Sequence, residues 1–261
     1  MYGICHLSNI PVRKEKTSKS ELVTQLIYGE LYKIVEKNKK WYLIEIYNDK
    51  YQGWINYSQF KEITKKEFNN LRINDQKFLK IIYTELETKS GTMLIGIGAV
   101  ISNCNFLNHK LKNNLNQLKS SIKETALKFL NVPYLWGGKT YSGIDCSGFT
   151  QLVYKLNKIK INRDAYQQAE QGKTIDLVNA KEGDLAFFGN KEITHVGIIL
   201  KNQKIIHAFG KVRIDVLNKK GILNLDSNSI SHKLIKVCTY WFSISCNLAF
   251  ISLNLSISSI V

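Results

Sequence analysis

The sequence predicts an α+β protein, with helices packed on an antiparallel sheet and one or two small β-barrels in front of them. Three observations predict it. The first sixty residues are a series of short strand signals broken by polar turns, a helical apolar period follows Asp145, and two Ile- and Val-rich runs flank three polar residues near position 200. With 261 residues, 44% of them hydrophobic, the chain is long enough for two or three domains with cores of their own.

Over residues 1–60 the strand signals are 11–13, 23–26, 31–35, 41–46 and 51–55, a spacing that suits a small β-barrel. Residues 61–117 are less explicit. Within them 79–83 and 93–100 read as strands of a second, degenerate barrel-like unit, the alternative being a linker. Gly96 and Gly98 make no dinucleotide fingerprint, because neither a third glycine nor a helix opening follows at the required spacing. Residues 111–118, rich in Lys and Asn, read as linker, and 121–130, with Ile122, Ala126, Leu127 and Phe129, as the first helix of a catalytic domain over 118–237.

In that domain Phe149, Leu152, Val153 and Leu156 recur at three- and four-residue steps, so Cys146 opens a helix with Asp145 as its N-cap. Free N–H groups and the positive dipole end at a helix mouth lower a cysteine pKa from about 8.5 into a range of roughly 3.5–7.5. The sequence thus predicts a thiolate near neutral pH. Residues 193–200 and 204–209 read as an antiparallel hairpin through Lys201-Asn202-Gln203, with His207 opposite His195 or within a residue or so of it. With a turn over 200–202 the two rings share one sheet face. A thiol becomes a nucleophile when an imidazole can take its proton, and a second polar side chain can orient that imidazole. The pattern is that of a cysteine hydrolase.

Five segments, in order, carry a resemblance: Val132-Pro133-Tyr134-Leu135-Trp136-Gly137-Gly138, Gly143-Ile144-Asp145-Cys146-Ser147-Gly148-Phe149, Gly183-Asp184-Leu185-Ala186-Phe187-Phe188, His195-Val196-Gly197-Ile198 and Ile206-His207-Ala208. They resemble the NlpC/P60 family of papain-like cysteine peptidases, which act on bacterial cell-wall peptides. Gly53-Trp54-Ile55, after Trp41-Tyr42, resembles bacterial SH3 domains. The resemblance implies Cys146 as nucleophile, His195 as base, His207 as the residue orienting it, and the Cys146 backbone N–H as an oxyanion donor. It also implies Tyr134 as a cleft aromatic with its hydroxyl near the oxyanion. The YkfC-type γ-D-glutamyl-L-diamino acid endopeptidases of the family, which carry such an N-terminal domain, require a free N-terminal L-alanine on the substrate. Likeness to them implies that Asp145, Ser147, Arg163 and Asp164 surround the substrate amine, that Trp136 joins the substrate-binding set, and that Glu21 and Tyr51 reach in from the SH3-like domain. The implied reaction is hydrolysis of the bond between γ-D-glutamate and a diamino acid such as diaminopimelate in murein peptides, with no metal or organic cofactor. The alternatives are a hydrolase of the intact wall and a non-catalytic wall-peptide module.

A net charge of +16, from 37 basic and 21 acidic residues, raises nucleic-acid binding. The lysines are spread along the chain without zinc-finger spacing or an RNP-like motif, so no specific nucleic-acid partner is expected. An acyl transferase of the permuted fold needs its histidine before its cysteine, and here both histidines follow. Cysteines 5, 104, 146, 238 and 246 show no paired spacing, which fits a reducing compartment, and no signal peptide is visible, so a cytoplasmic role in murein-peptide recycling is expected. Residues 238–261 lack charge. They read as a tail anchor, a disordered extension or a reading-frame artefact, and membrane contact is expected only through them.

Overall fold

Alternation of apolar and polar side chains builds the N-terminal unit from seven strands, β1 (Tyr2–Ile4), β2 (Asn9–Arg13), β3 (Leu22–Ile27), β4 (Leu31–Lys37), β5 (Trp41–Ile46), β6 (Gln52–Asn56) and β7 (Glu62–Ile63). All pair antiparallel, in the order β3-β2-β6-β5-β4-β1-β7. Ile10, Val12, Leu26, Ile34, Ile44, Ile46 and Ile55 form the core of this sheet, each stabilising it by roughly 1.5–3 kcal/mol on burial. Each strand expected from the sequence is present, and β1 and β7 are added to them. The structure is a computed structural model and describes residues 1–113, 115 and 119–240, so four residues of the expected linker and 241–261 of the uncharged tail lie outside the described residues.

Helix α1 (Lys65–Ile73) begins at a capping box between Thr64 and Glu67, and lays Phe68 and Leu71 on Ile4, Leu31 and Ile63. After it, β8 (Tyr83–Thr88), β9 (Gly91–Gly96) and β10 (Lys110–Leu111) form a three-stranded sheet in the order β10-β8-β9. Residues 79–82, expected as strand, are not strand. The Leu79 N–H donates to Ala99 O and the Gly98 N–H to Leu79 O, turning Leu79 into the core, so the extended run starts at Tyr83. Leu86, Ile95, Ile97 and Ala99 share one hydrophobic cluster with Ala126, Phe129, Phe149 and Leu152. This small sheet is therefore packed into the core of the C-terminal half of the chain.

The remaining chain supplies α2 (Ile122–Leu127), capped by Ser121 and Glu124, the short pair β11 (Lys139–Thr140) and β12 (Gly143–Ile144), and helices α3 (Cys146–Leu156) and α4 (Ala165–Gln171). It ends in β13 (Lys173–Ile175), β14 (Leu185–Gly189), β15 (Ile193–Leu200), β16 (Lys204–Phe209), β17 (Lys211–Asn218), β18 (Gly221–Asn224) and β19 (Ser229–Thr239). These pair antiparallel in the order β13-β19-β14-β15-β16-β17-β18, and β18 also pairs with β19, so the sheet closes on itself. Helices and antiparallel sheet together make the expected α+β fold. The closing strand runs past residue 237: Thr239 pairs with Lys173, and the buried Tyr240 donates its hydroxyl to Gln168 O.

A buried ion triad ties the two halves together. Glu30, just before β4, accepts from Lys155 Nζ of α3 at 2.6 Å and from Lys139 Nζ of β11 at 3.2 Å. Its carboxylate also accepts the Ile27 N–H, and the two ammonium groups hold its pKa down to about 2 against the opposing effect of burial. One barrel residue thus fixes both α3 and the short strand β11 that precedes it.

Candidate active site

Asp145 is the N-cap of α3: its backbone is extended and its carboxylate accepts the Gly148 N–H at 2.6 Å. Cys146 is the first helical residue, so its own N–H has no intrahelical acceptor. The thiol is only 7% exposed and shares a buried cluster with Val196 of β15. Burial, and after it the Asp145 carboxylate, push the thiol up to about 12, against the lowering influence of the Val196 backbone and Arg163. The expectation of a depressed thiol pKa is therefore overturned. Loss of water and a capping carboxylate outweigh the helix mouth, and the resting sulfur carries its proton.

The histidine hairpin spans the expected residues with a different register. Leu200 pairs with Lys204 and Gly197 with His207, across the three-residue turn 201–203 in which Asn202 and Gln203 adopt positive φ of 58° and 54°. His207 therefore stands opposite Gly197 and not opposite His195. A slip of two residues keeps both histidines on one face, and the rings meet diagonally with His195 Nε2 2.8 Å from His207 Nδ1. Gly197 makes room for this, since a Cβ there would lie 2.9 Å from His207 Cβ.

Beyond His207 the chain of polar contacts continues. His207 Nε2 lies 3.0 Å from Asp215 Oδ2 on β17, and Asp215 accepts from Arg213 Nε at 2.7 Å, Arg213 Nη2 at 2.9 Å and the Leu225 N–H at 3.0 Å. His232 of β19 stacks on His195, with ring centroids 4.1 Å apart. Burial, then His207 and His232, hold His195 well below the usual imidazole value, and burial lowers His207 despite Asp215. His232 is lowered to about 4, by burial and then by His207. All three rings are neutral at pH 7. Sequence reasoning missed Asp215, Arg213 and His232. The available signal was an Arg-x-Asp pair on one face of the strand after the His207 strand.

In front of the thiol lies a cleft of about 720 Å³, lined from both halves of the chain by Glu21, Tyr51, Tyr134, Trp136, Asp145, Cys146, Ser147, Asp164 and Thr194 among others. Eight of the residues singled out from the sequence meet there. Arg163, 1% exposed, lies beneath it and pairs with both Asp145 oxygens at 3.0 and 2.6 Å, while donating to Ser147 Oγ and to Thr24 Oγ1 of the barrel. Asp145 Oδ2 also accepts the Gly137 N–H at 2.9 Å. Gly137 has φ +72°, and a Cβ there would lie 2.1 Å from Leu22 O, so only glycine lets this loop press onto the barrel. At the cleft rim Trp136 Nε1 donates to Glu21 at 2.6 Å, and the Tyr51 hydroxyl to Asp164 Oδ1 at 3.3 Å. Burial raises Asp164 above the ordinary carboxylate value. Among the described residues no group of three or more His, Cys, Asp and Glu is arranged to hold a metal ion, and no helix is long and apolar enough to cross a membrane.

Residues 131–226 match the NlpC/P60 family, and residues 12–60 match the bacterial dipeptidyl-peptidase SH3 domain. The chain carries an NlpC/P60 cysteine-peptidase domain behind a bacterial SH3 domain. The chain is 44% identical over 91 residues to the γ-D-glutamyl-L-lysine dipeptidyl-peptidase of Bacillus subtilis, a match covering 33% of this chain and 31% of that protein. A Bacillus cereus protein of the same name is 28% identical over 246 residues, covering 79% of this chain and 74% of its own length. In three dimensions the chain is similar to the crystal structure of an NlpC/P60 family protein from Bacillus cereus, with a TM-score of 0.72 at 18% identity over 92% of this chain and 99% of that one, which shows a shared fold. Cys146, His195 and His207 all lie in the NlpC/P60 match, and Glu21 and Tyr51 in the SH3 match.

Proposed function

We propose that this protein hydrolyses the bond between γ-D-glutamate and a diamino acid in murein-derived peptides that begin with a free L-alanine, as a step in recycling such peptides inside the cell. The observation that carries the proposal is the cleft itself. The thiol lies at its floor, and its rim is drawn from the SH3 domain through Trp136–Glu21 and Tyr51–Asp164. An opening bounded in this way suits the end of a short peptide better than the middle of a long one.

Five donors already surround the Asp145 carboxylate: two from Arg163, the Gly137 and Gly148 N–H groups, and the Ser147 hydroxyl at 3.3 Å. It has no oxygen lone pair left for substrate, and its part is to hold Arg163, Ser147 and the start of α3 in place. Asp164, met by the Tyr51 hydroxyl, is the carboxylate that receives the substrate ammonium in a charge-assisted hydrogen bond, with Tyr51 and Glu21 beside it. In the reaction His195 takes the thiol proton as sulfur attacks the γ-carbonyl. The oxyanion meets the Cys146 N–H, with the Tyr134 hydroxyl beside it. His195 then returns the proton to the leaving amine, and activates the water that cleaves the thioester. With a neutral thiol and a neutral imidazole at rest, the proton moves during attack.

The test is to incubate the protein with L-Ala-γ-D-Glu-diaminopimelate, with the L-lysine analogue, and with the N-acetylated form of each. Release of the free diamino acid from the unblocked peptides alone is expected. Cleavage of blocked and free peptides alike overturns the amine site, and cleavage of neither overturns the reaction.

A further inference from the structure

We infer that Asp215 is a positioning residue that sets the tautomer of two imidazoles in series, so that the ring nitrogen of His195 left for Cys146 is the unprotonated one. The kinetic arm of the test rests on the proposed thiol hydrolysis; the tautomers themselves do not. An ionised carboxylate can only accept hydrogen bonds. Asp215 is fully buried and is met by both arms of the Arg213 guanidinium and by the Leu225 N–H. Three donors, two of them on one cationic group, keep it ionised.

His207 Nε2, 3.0 Å from Asp215 Oδ2, must therefore carry a hydrogen. A neutral imidazole has only one N–H, so His207 Nδ1 presents a lone pair. His195 Nε2, 2.8 Å from that lone pair, must in turn be the donor. What remains on His195 is Nδ1, bare of hydrogen, on the strand that packs against the helix opened by Cys146, with Val196 next to it sharing a buried cluster with Cys146. The acceptor-only character of Asp215 is thus passed through two rings to the base. His232 does not reverse this order: it meets His195 face to face, and its own Nδ1 lies 2.9 Å from Ser231 Oγ.

Asp215→Asn should invert the chain. An asparagine here has two placements. With its oxygen at the Oδ1 position it satisfies Arg213 Nη2 and Leu225 N–H, and its NH2 group then faces His207. With its oxygen at the Oδ2 position it turns the NH2 group on those same two donors. The first leaves one donor conflict, with Arg213 Nε, and the second leaves two. In the favoured placement His207 Nε2 must accept, Nδ1 must donate, and His195 carries its hydrogen on Nδ1, where the thiol proton has to go. A wrong-tautomer change of this kind lowers kcat by as much as about 10⁴-fold in a hydrolase triad.

The experiment is a long-range 1H–15N correlation spectrum of the full chain with labelled histidine at pH 7, together with kinetics of Asp215→Asn and Asp215→Glu. Expected are Nε2–H tautomers for both His195 and His207 in the parent, inversion of both in Asp215→Asn with kcat down by roughly 10²–10⁴-fold and KM near the parent value, and parent tautomers in Asp215→Glu. A parent His207 in the Nδ1–H form overturns the inference, and so does an Asp215→Asn protein that keeps the parent tautomers. Should Asp215→Asn fail to fold, the parent and Asp215→Glu spectra decide. Should the chain cleave no murein peptide, the spectra still decide.

Discussion

The Tyr51 hydroxyl, on the SH3 side of the cleft, donates to Asp164 Oδ1 at the start of α4, 3.3 Å away and 113 residues along the chain. This hydrogen bond runs from the barrel to a carboxylate that lines the cleft. Tyr51→Phe keeps the ring, which packs against the barrel core, and removes only the donor. A hydrogen bond to a charged group is worth about 1.5–3 kcal/mol, and at this length the lower end applies, so KM for a peptide with a free amine should rise roughly tenfold with kcat little changed. Steady-state kinetics on L-Ala-γ-D-Glu-diaminopimelate measure this. A fall in kcat at constant KM would place Tyr51 elsewhere in the mechanism.

Arg163 joins α3, the floor of the cleft and the barrel through Asp145, Ser147 and Thr24, all from a nearly inaccessible position. Removing one member of a buried pair leaves the other charge without a partner, at a cost of about 3–5 kcal/mol. Arg163→Met should therefore lower stability by about that much, and Arg163→Met with Asp145→Asn should recover part of it, since no bare carboxylate remains. Urea unfolding of the single and double variants tests the point. A single variant as stable as the parent contradicts it.

What the sequence made legible was local and periodic. Helix α3 and the strands β15 and β16 fall where the apolar spacing puts them, because Asp145 and Lys201-Asn202-Gln203 mark their ends. The register slip was not legible, since two consecutive non-glycine residues at positive φ fix the turn, and neither Asn202 nor Gln203 announces that. The burial of Asp215 and Arg163 was not legible, because it depends on His207 of the neighbouring strand and on Thr24 of the barrel. The thiol failed as an expectation for the same reason: its helix mouth is local, but the β15 strand that shuts out water lies about fifty residues away.

That enclosed thiol has its own pH signature. A thiol pKa raised to about 12 means that Cys146 is protonated throughout the neutral range, and that its thiolate fraction climbs with pH up to that value. The rate of Cys146 carbamidomethylation by iodoacetamide, followed by peptide mass spectrometry, should rise steadily from pH 6 to pH 10 with no plateau, by about tenfold per pH unit where thiolate alone reacts. A plateau with a midpoint below pH 7 would instead reveal a resting thiolate, and with it a preformed ion pair with His195.

Acid should weaken the joint between the two halves. Glu30 has a folded pKa of about 2, below the ordinary glutamate value of about 4.3, so its ionised form favours folding. The resulting stability is fully present above that ordinary value and is lost as pH falls through it toward 2; a difference of this size corresponds to about 3 kcal/mol, with roughly half gone by pH 3. Lys155 opposes it from the basic side, because burial lowers its pKa and charging it costs folding energy at neutral pH. In Glu30→Gln both ammonium groups lose their partner, and stability at pH 7 should drop by about 3–5 kcal/mol. The gap between parent and variant should then narrow as pH is lowered from 6 to 3, because the parent alone loses the Glu30 contribution. Urea unfolding at pH 6, 4.5 and 3 measures that gap, and a gap independent of pH would show that Glu30 is already protonated in the folded chain.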